Sequence, residues 1–149
     1  PVSRQAQPES PRDGSLVGSF AHECGVVLVV DDEAMVRNMA ESMLKRKLGC
    51  EVLTASDGYE ALKIFSERKH EIDWVLLDLS MPGMNGWQVL DGMRSLRADI
   101  PVILASGYDE AQVMHGGGME QPQAFLHKPY GAKELKAVVA HVLGAVTAQ

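Results

Sequence analysis

Carboxylates follow two of the apolar runs in this sequence. Asp31 and Asp32 come directly after the run at residues 26–30, and Asp78 follows the run at residues 74–77. If these runs are neighbouring strands of one parallel sheet, the carboxylates meet in one pocket, because ligands bind beyond the carboxyl ends of such strands. Like charges this close repel one another unless a cation offsets them. Carboxylates are typical Mg²⁺ ligands and phosphate oxygen often completes the octahedron, so the pattern predicts Mg²⁺ and a phosphoryl group.

Two further polar residues follow later apolar runs. Ser106 comes after the run at residues 102–105, and Lys128 comes after a weaker strand candidate at residues 124–127. The same strand-end rule places both on the rim of the acidic pocket. A hydroxyl and an ammonium are suitable partners for phosphoryl oxygens, in a transfer whose catalysis is mostly positioning and charge stabilisation.

Each of these residues also has a simpler explanation. Asp31 and Asp32 could cap the helix that follows them, and Asp78 could begin a turn-rich segment. Ser106 could be an ordinary loop hydroxyl, and Lys128 could be a solvated lysine. The polar groups nevertheless stand at the ends of four different predicted strands, and this joint placement favours a shared site.

Apolar runs and helical spacing alternate along most of the chain. Three runs are continuously apolar, as in strands covered on both faces of a parallel sheet, and helical spacing is most regular from Leu135 to Val146. The alternation predicts an α/β fold, a doubly wound parallel sheet with strand order 2-1-3-4-5 and helices on both faces. Three glycines at residues 116–118 weaken the helix expected between strands four and five. The predicted strands are 26–30, 51–55, 74–77, 102–105 and 124–127.

Composition divides the 149 residues unequally and excludes several classes of protein. Residues 1–24 are predicted to be a flexible linker, 25–146 a folded domain and 147–149 a tail. The net charge of -6 comes without a basic stripe, so direct nucleic-acid binding by this segment is not expected. The apolar runs fall far short of the ~20 residues of a membrane-spanning helix, so no membrane contact is expected. Two cysteines are too few for a disulfide framework, and with no leader the default location is cytoplasmic.

Four motifs surround these residues: LVVDDE at 28–33, LDLSMPGMNG at 77–86, ASG at 105–107 and KPY at 128–130. Together they resemble the receiver domain of two-component response regulators. The resemblance covers residues 25–146 and implies a flavodoxin-like (βα)5 fold. It also implies a phosphorelay, in which the domain takes a phosphoryl group from a histidine kinase or a histidine phosphotransfer domain and then switches conformation.

The resemblance assigns the acidic residues to phosphoryl transfer and to a Mg²⁺ cofactor. Asp78 would be the phosphoacceptor nucleophile and would form an acyl phosphate, while also contacting the metal. Asp32 would bind Mg²⁺ directly, Asp31 directly or through water, and the main-chain carbonyl of Ser80 would add a ligand. Such a receiver catalyses its own phosphorylation and dephosphorylation, and Ser80 and Tyr108 resemble the family positions that tune hydrolysis.

The resemblance gives the remaining motif residues a part in the switch. Lys128 would pair with Asp78 and then with the phosphoryl group, and a cis peptide bond before Pro129 would aim it. Ser106 would hydrogen-bond the phosphoryl group and draw its loop inward. Phe125 occupies the position of a switch aromatic, and because it lacks a hydroxyl it has no hydrogen-bonded outward state.

Other functions on a similar fold fit these residues less well. A flavin or nucleotide module needs a phosphate loop rich in Gly, Ser or Thr after strand one, and here that loop is acidic. A phosphatase of the haloacid dehalogenase type would need an acidic residue two positions after its nucleophile, where Ser80 stands. A degenerate receiver used only for protein contacts would not be expected to keep every acidic, hydroxyl and lysine position filled.

Two segments of the sequence suggest a larger parent protein. Residues 1–3 are similar to the exit from the last strand of a histidine kinase ATPase domain, and residues 104–108 resemble receivers fused to such kinases. We therefore expect this chain to be the C-terminal receiver of a hybrid sensor histidine kinase, with no output domain downstream of the receiver. The other parts of such a kinase can be membrane-anchored. The alternative is a stand-alone single-domain response regulator that acts through protein–protein contacts.

Overall fold

The structure is a computed structural model that describes residues 25–107 and 120–147. Five strands form one parallel sheet at the centre of this part of the chain. The strand order is β2-β1-β3-β4-β5, and every neighbouring pair is parallel. This order confirms the predicted doubly wound sheet. The strands are β1 Val26–Val30, β2 Glu51–Ala55, β3 Trp74–Asp78, β4 Val102–Ser106 and β5 Ala124–His127.

Four helices lie within the described ranges, and each follows the carboxyl end of a strand. The start of the third is fixed by a capping box, in which Asn85 and Gln88 each accept the other's backbone N–H. The expected helix with three glycines, the predicted linker at residues 1–24 and Tyr108 lie outside the described residues. The helices are α1 Ala34–Lys47, α2 Gly58–Arg68, α3 Gly86–Leu96 and α4 Ala132–Thr147.

Two apolar layers cover the two faces of the sheet. Successive strand side chains point to opposite faces, so Leu77 packs in the layer under α2 and α3, whereas Leu76 packs in the layer under α1 and α4. The central strands β1, β3 and β4 are almost entirely buried. Dense packing on both sides holds the ends of these strands in place, and the polar residues discussed below stand at those ends.

Arg94 of α3 ties the start of β4 to the segment before β5. Its Nε donates to the Ile100 carbonyl at 3.1 Å, and its Nη atoms donate to Glu120 at 3.1 Å and to Gln123 at 2.7 Å. The same Gln123 oxygen accepts the Val102 N–H at 2.7 Å. The Arg94 side chain is 9% exposed, whereas Glu120 and Gln123 reach the surface, so the guanidinium is buried with its acceptors at the rim.

Replacing Arg94 with Met is expected to lower the free energy of unfolding by about 2 kcal/mol, because hydrogen bonds to a charged group are lost and the carbonyl of the buried Ile100 loses its Arg94 donor. Urea unfolding of the two proteins measures the difference. Arg46→Met is the matched control, since Arg46 is exposed on α1 and its replacement should change stability by less than about 0.5 kcal/mol. Equal losses in both variants would show that the Arg94 contacts contribute little.

Candidate functional site

The carboxylates of Asp31, Asp32 and Asp78 converge at the carboxyl edge of the sheet. Asp31 and Asp32 follow β1, and Asp78 is the last residue of β3, which pairs directly with β1. One carboxylate oxygen from each residue lies within 4.8 Å of those of the other two. Asp31 and Asp78 are each 3% exposed, whereas Asp32 is exposed. The cluster therefore has a buried floor and one carboxylate that faces solvent.

Asp31 is held by the first turn of α1. Its Oδ1 accepts the Glu33 N–H at 2.9 Å, and its main-chain carbonyl accepts a hydrogen bond from Arg37 Nη1 at 2.8 Å. The N-cap residue of α1 is Glu33, and no side chain makes the capping hydrogen bond. Neither Asp31 nor Asp32 therefore caps the helix, in contrast to the simpler explanation considered for them. Sequence reasoning did not identify Arg37 as a site residue. Its one signal in the sequence is its position on the helix that follows Asp31 and Asp32.

Lys128 bridges two of the three carboxylates. Its Nζ lies 3.0 Å from Asp31 Oδ2 and 3.0 Å from Asp78 Oδ1. The Lys128–Pro129 peptide bond is cis, and the Lys128 N–H donates to the Ser106 carbonyl at 2.7 Å. Burial lowers the pKa of the ammonium, but hydrogen bonds to Asp78 and Asp31 outweigh burial, and the pKa is raised overall. Lys128 is thus a stable cation that reaches from β5 across to β1 and β3.

The carboxyl group of Asp78 holds its proton more tightly than an ordinary aspartate. Burial is the largest cause, and the negative charge of Asp31 and a hydrogen bond with Asp32 act in the same direction. The hydrogen bond and positive charge of Lys128 oppose them, and the net result raises the pKa of Asp78 from 3.8 to about 6. A further cation among these carboxylates would favour the ionised form by offsetting the repulsion.

Two serines border the cluster on different elements. Ser106 is the last residue of β4 and is 3% exposed. The sequence predicted it just after the strand. Its carbonyl, however, accepts a hydrogen bond from the Lys128 N–H, so the pairing of β4 with β5 extends by one residue. Ser80 is exposed in the loop between β3 and α3, two residues beyond Asp78. A cavity of about 490 Å³ in this loop is lined by Leu79, Ser80, Met81, Asn85 and Trp87.

A glycine allows α3 to begin directly against the end of β3. The Gly86 N–H donates to the Leu79 carbonyl at 2.8 Å. A Cβ atom at Gly86 would lie 2.8 Å from the main-chain oxygen of Asp78 and 2.7 Å from the Cα of Leu79, closer than side chains approach backbone. The first turn of α3 is therefore in contact with the backbone of the most perturbed carboxylate in the cluster.

Two aromatic residues lie further along the same edge. Phe125 of β5 is half-buried, and its ring meets that of Trp87 edge to face, with ring centroids 6.3 Å apart and planes at 65°. Tyr130 follows the cis-proline, and burial, with a further contribution from the charge of Asp31, raises its pKa to about 12. The phenol of Tyr130 is therefore neutral at physiological pH and adds no charge to the cluster.

Comparison with known proteins identifies the family of this chain. A family model described as a response regulator receiver domain matches residues 27–140. The two-component response regulator ARR11 of Arabidopsis thaliana is 39% identical over 117 residues, which are 78% of this chain and 22% of ARR11. The chain thus spans less than half the length of curated relatives of this kind.

Solved structures show the same similarity over the whole sheet. The receiver domain of the hybrid histidine kinase CckA superposes with a TM-score of 0.66 and 37% identity, covering 80% of this chain and 99% of that one. A chain of the CheX–CheY–BeF3–Mg²⁺ complex from Borrelia burgdorferi superposes with a TM-score of 0.74 and 26% identity, covering 79% of this chain and 88% of that one. Among the described residues, no helix combines the length and apolar character needed to cross a membrane. The chain belongs to the response regulator receiver domain family.

Proposed function

We propose that this receiver domain accepts a phosphoryl group on Asp78 from the phosphohistidine of a partner protein. The observation that carries the proposal is the bridge of Lys128, whose ammonium lies 3.0 Å from both Asp31 and Asp78 beside the exposed Asp32. A buried nucleophile held by one fixed cation, at an edge open to solvent through one carboxylate, suits attack on an incoming anionic group.

In the proposed reaction, a carboxylate oxygen of Asp78 forms a bond to phosphorus as the bond from phosphorus to the donor's imidazole nitrogen breaks. The electron pair of that bond returns to the imidazole nitrogen. With a proton on its other nitrogen, the imidazole leaves as the neutral ring. The product is an acyl phosphate on Asp78. Lys128 already contacts the attacking carboxylate, so its ammonium is in place to pair with the phosphoryl oxygens.

The carboxylate cluster fits a Mg²⁺ cofactor. Three carboxylate oxygens within 4.8 Å of one another form a hard, oxygen-only donor set at the edge where Asp32 is open to solvent. We propose that Asp31, Asp32 and Asp78 hold the ion, with the main-chain carbonyl of Ser80 as a further ligand. When bound, Mg²⁺ would neutralise carboxylate and phosphoryl charge. The chain's own part is to keep the acidic groups together, with Lys128 offsetting the charge of two of them.

We propose that the switch residues respond to the new phosphoryl group. Ser106 ends β4 beside Lys128, from which its hydroxyl can move toward a phosphoryl oxygen, and Phe125 lies on the next strand. Pro129 follows Lys128 through a cis peptide bond. Ser80 lies two residues from Asp78, and we propose that it and Tyr108 set the lifetime of the acyl phosphate.

Incubation with acetyl phosphate and Mg²⁺, followed by intact-protein mass spectrometry, tests the phosphoacceptor. Wild type is expected to gain the mass of one phosphoryl group, and Asp78→Ala is expected to gain none. Asp91→Ala, which alters an exposed aspartate on α3, is the matched control and should label like wild type. Asp32→Asn should need a higher Mg²⁺ concentration for labelling. An unlabelled wild type, or equal labelling of Asp78→Ala, would refute the proposal.

The partners and the parent protein are further proposals. We propose a histidine kinase or histidine phosphotransfer domain as donor, with residues 25–146 as the receiver and no direct contact with nucleic acid or membrane. The 37% identity to the receiver of a hybrid histidine kinase supports a hybrid-kinase parent, whereas the 39% identity to a response regulator supports a stand-alone regulator. The full-length reading frame decides between them. We also propose a cytoplasmic location for this domain. Cys50 is disulfide-bonded, and because disulfides are rare in cytosolic proteins this residue does not support that location.

A further inference from the structure

We infer that Trp87 is a positioning residue that links the loop carrying Asp78 to the ring of Phe125. The inference rests on the proposed phosphoacceptor function and extends it to a residue outside the acidic cluster. Trp87 is the second residue of α3 and is only 7% exposed. It lines a cavity together with residues of the loop after Asp78, and its ring contacts that of Phe125 on β5.

The first half of this link is the junction between β3 and α3. Gly86, the residue before Trp87, hydrogen-bonds the Leu79 carbonyl at 2.8 Å and has no room for a Cβ against the main-chain oxygen of Asp78. The capping box of Asn85 and Gln88 fixes the helix start on either side of Trp87. We therefore expect a shift of the Asp78 backbone to displace the first turn of α3 through this close, hydrogen-bonded junction.

Trp87 also shares a cavity with the loop after Asp78. It lines the cavity of about 490 Å³ together with Ser80 and Asn85. One side of this cavity is thus the segment that follows Asp78, and another is Trp87. Rearrangement of the loop around a phosphoryl group changes the space beside the indole as well as the position of its backbone.

The second half of the link is the contact with Phe125. The two rings meet edge to face at 6.3 Å and 65°, a favourable geometry for aromatic pairs. Phe125 has no hydroxyl to hold its ring by a hydrogen bond, so the ring position depends on packing. Trp87 is buried while Phe125 is half-buried. The indole is therefore the anchored member of the pair, and Phe125 is the member with room to move.

Tryptophan fluorescence, measured with mass spectrometry on the same samples, tests the inference. The other tryptophan, Trp74, is fully buried in the layer on the opposite face of the sheet, so Trp74→Phe leaves Trp87 as the reporter. Addition of Mg²⁺ and acetyl phosphate is expected to shift Trp87 emission as Asp78 is labelled. Adding Phe125→Leu should remove at least half of this shift per labelled molecule, and Phe125→Tyr, which keeps the ring, should preserve it.

The outcomes separate this inference from the proposed function. Full labelling with no change in Trp87 emission, or a full change in Phe125→Leu, would overturn the link and leave the phosphoacceptor intact. Absence of labelling in the mass spectrum would overturn the phosphoacceptor and the link with it. If Trp74→Phe does not fold, the difference between wild type and Trp87→Phe isolates the same Trp87 signal.

Discussion

Asp78→Asn is expected to make the metal-free protein more stable than wild type at pH 7, by up to about 3 kcal/mol. The pKa of Asp78 is raised from 3.8 to about 6 in the folded protein, so the folded state binds its proton more tightly than the unfolded chain. Wild-type stability therefore falls as pH rises from about 4 to about 6 and stays low above that range. A shift of roughly two pKa units corresponds to about 3 kcal/mol. Asparagine has a similar shape without the charge and escapes this loss.

Urea unfolding at several pH values, with Mg²⁺ removed, measures the effect. The stability gap between Asp78→Asn and wild type should be full at pH 7, should shrink as pH falls through the folded pKa of about 6, and should close only well below 3.8, where the wild-type carboxyl is protonated in both states. Asp91→Asn, at an exposed position on α3, should show no gap at any pH. Added Mg²⁺ should stabilise wild type more than Asp78→Asn. A gap that does not depend on pH, or a less stable Asp78→Asn at pH 7, would contradict the expectation.

The fold was predictable because its signals are local. Continuous apolar runs mark strands covered on both faces, and the run at residues 26–30 coincides with β1. The two weaker strand candidates, at residues 51–55 and 124–127, coincide with β2 and β5. The errors lie at strand ends, where β3 and β4 each extend one residue further, through Asp78 and Ser106. A polar side chain ends an apolar run in the sequence. The strand continues, however, as long as backbone carbonyls such as that of Ser106 accept a hydrogen bond from the neighbouring strand.

The candidate site was less accessible to sequence reasoning, because its properties arise from contacts between distant segments. The strand-end rule places Asp31, Asp78 and Lys128 on one edge, but it does not say that one ammonium meets two carboxylates. The raised pKa of Asp78 depends first on burial, which no local pattern reports. Sequence reasoning gave neither Arg37 nor Trp87 a part in the site, for the same reason. Their contacts with Asp31 and Phe125 exist only once helices have docked on the sheet.

Lys128→Met is expected to slow phosphoryl transfer from acetyl phosphate to Asp78 by about 10²–10³-fold, as removal of one preorganised group that stabilises developing charge does in other sites. Lys128 is the cation that contacts Asp78 in the described structure, at 3.0 Å, and its side chain is only 18% exposed. Methionine keeps a long unbranched side chain but cannot pair with phosphoryl oxygens, and it leaves Asp31 and Asp78 facing each other without a cation.

The rate of mass increase at saturating Mg²⁺ measures this loss, and a longer incubation distinguishes slow labelling from none. Lys133→Met, at an exposed position in the first turn of α4, is the matched control and should label at the wild-type rate. The metal-free Lys128→Met protein should also unfold at lower urea than wild type above pH 6, because removing one partner of a buried pair leaves uncompensated charge. A labelling rate within a few-fold of wild type would mean that the metal and the remaining groups stabilise the transferred phosphoryl without Lys128. The bridge would then be a structural contact of the unphosphorylated state.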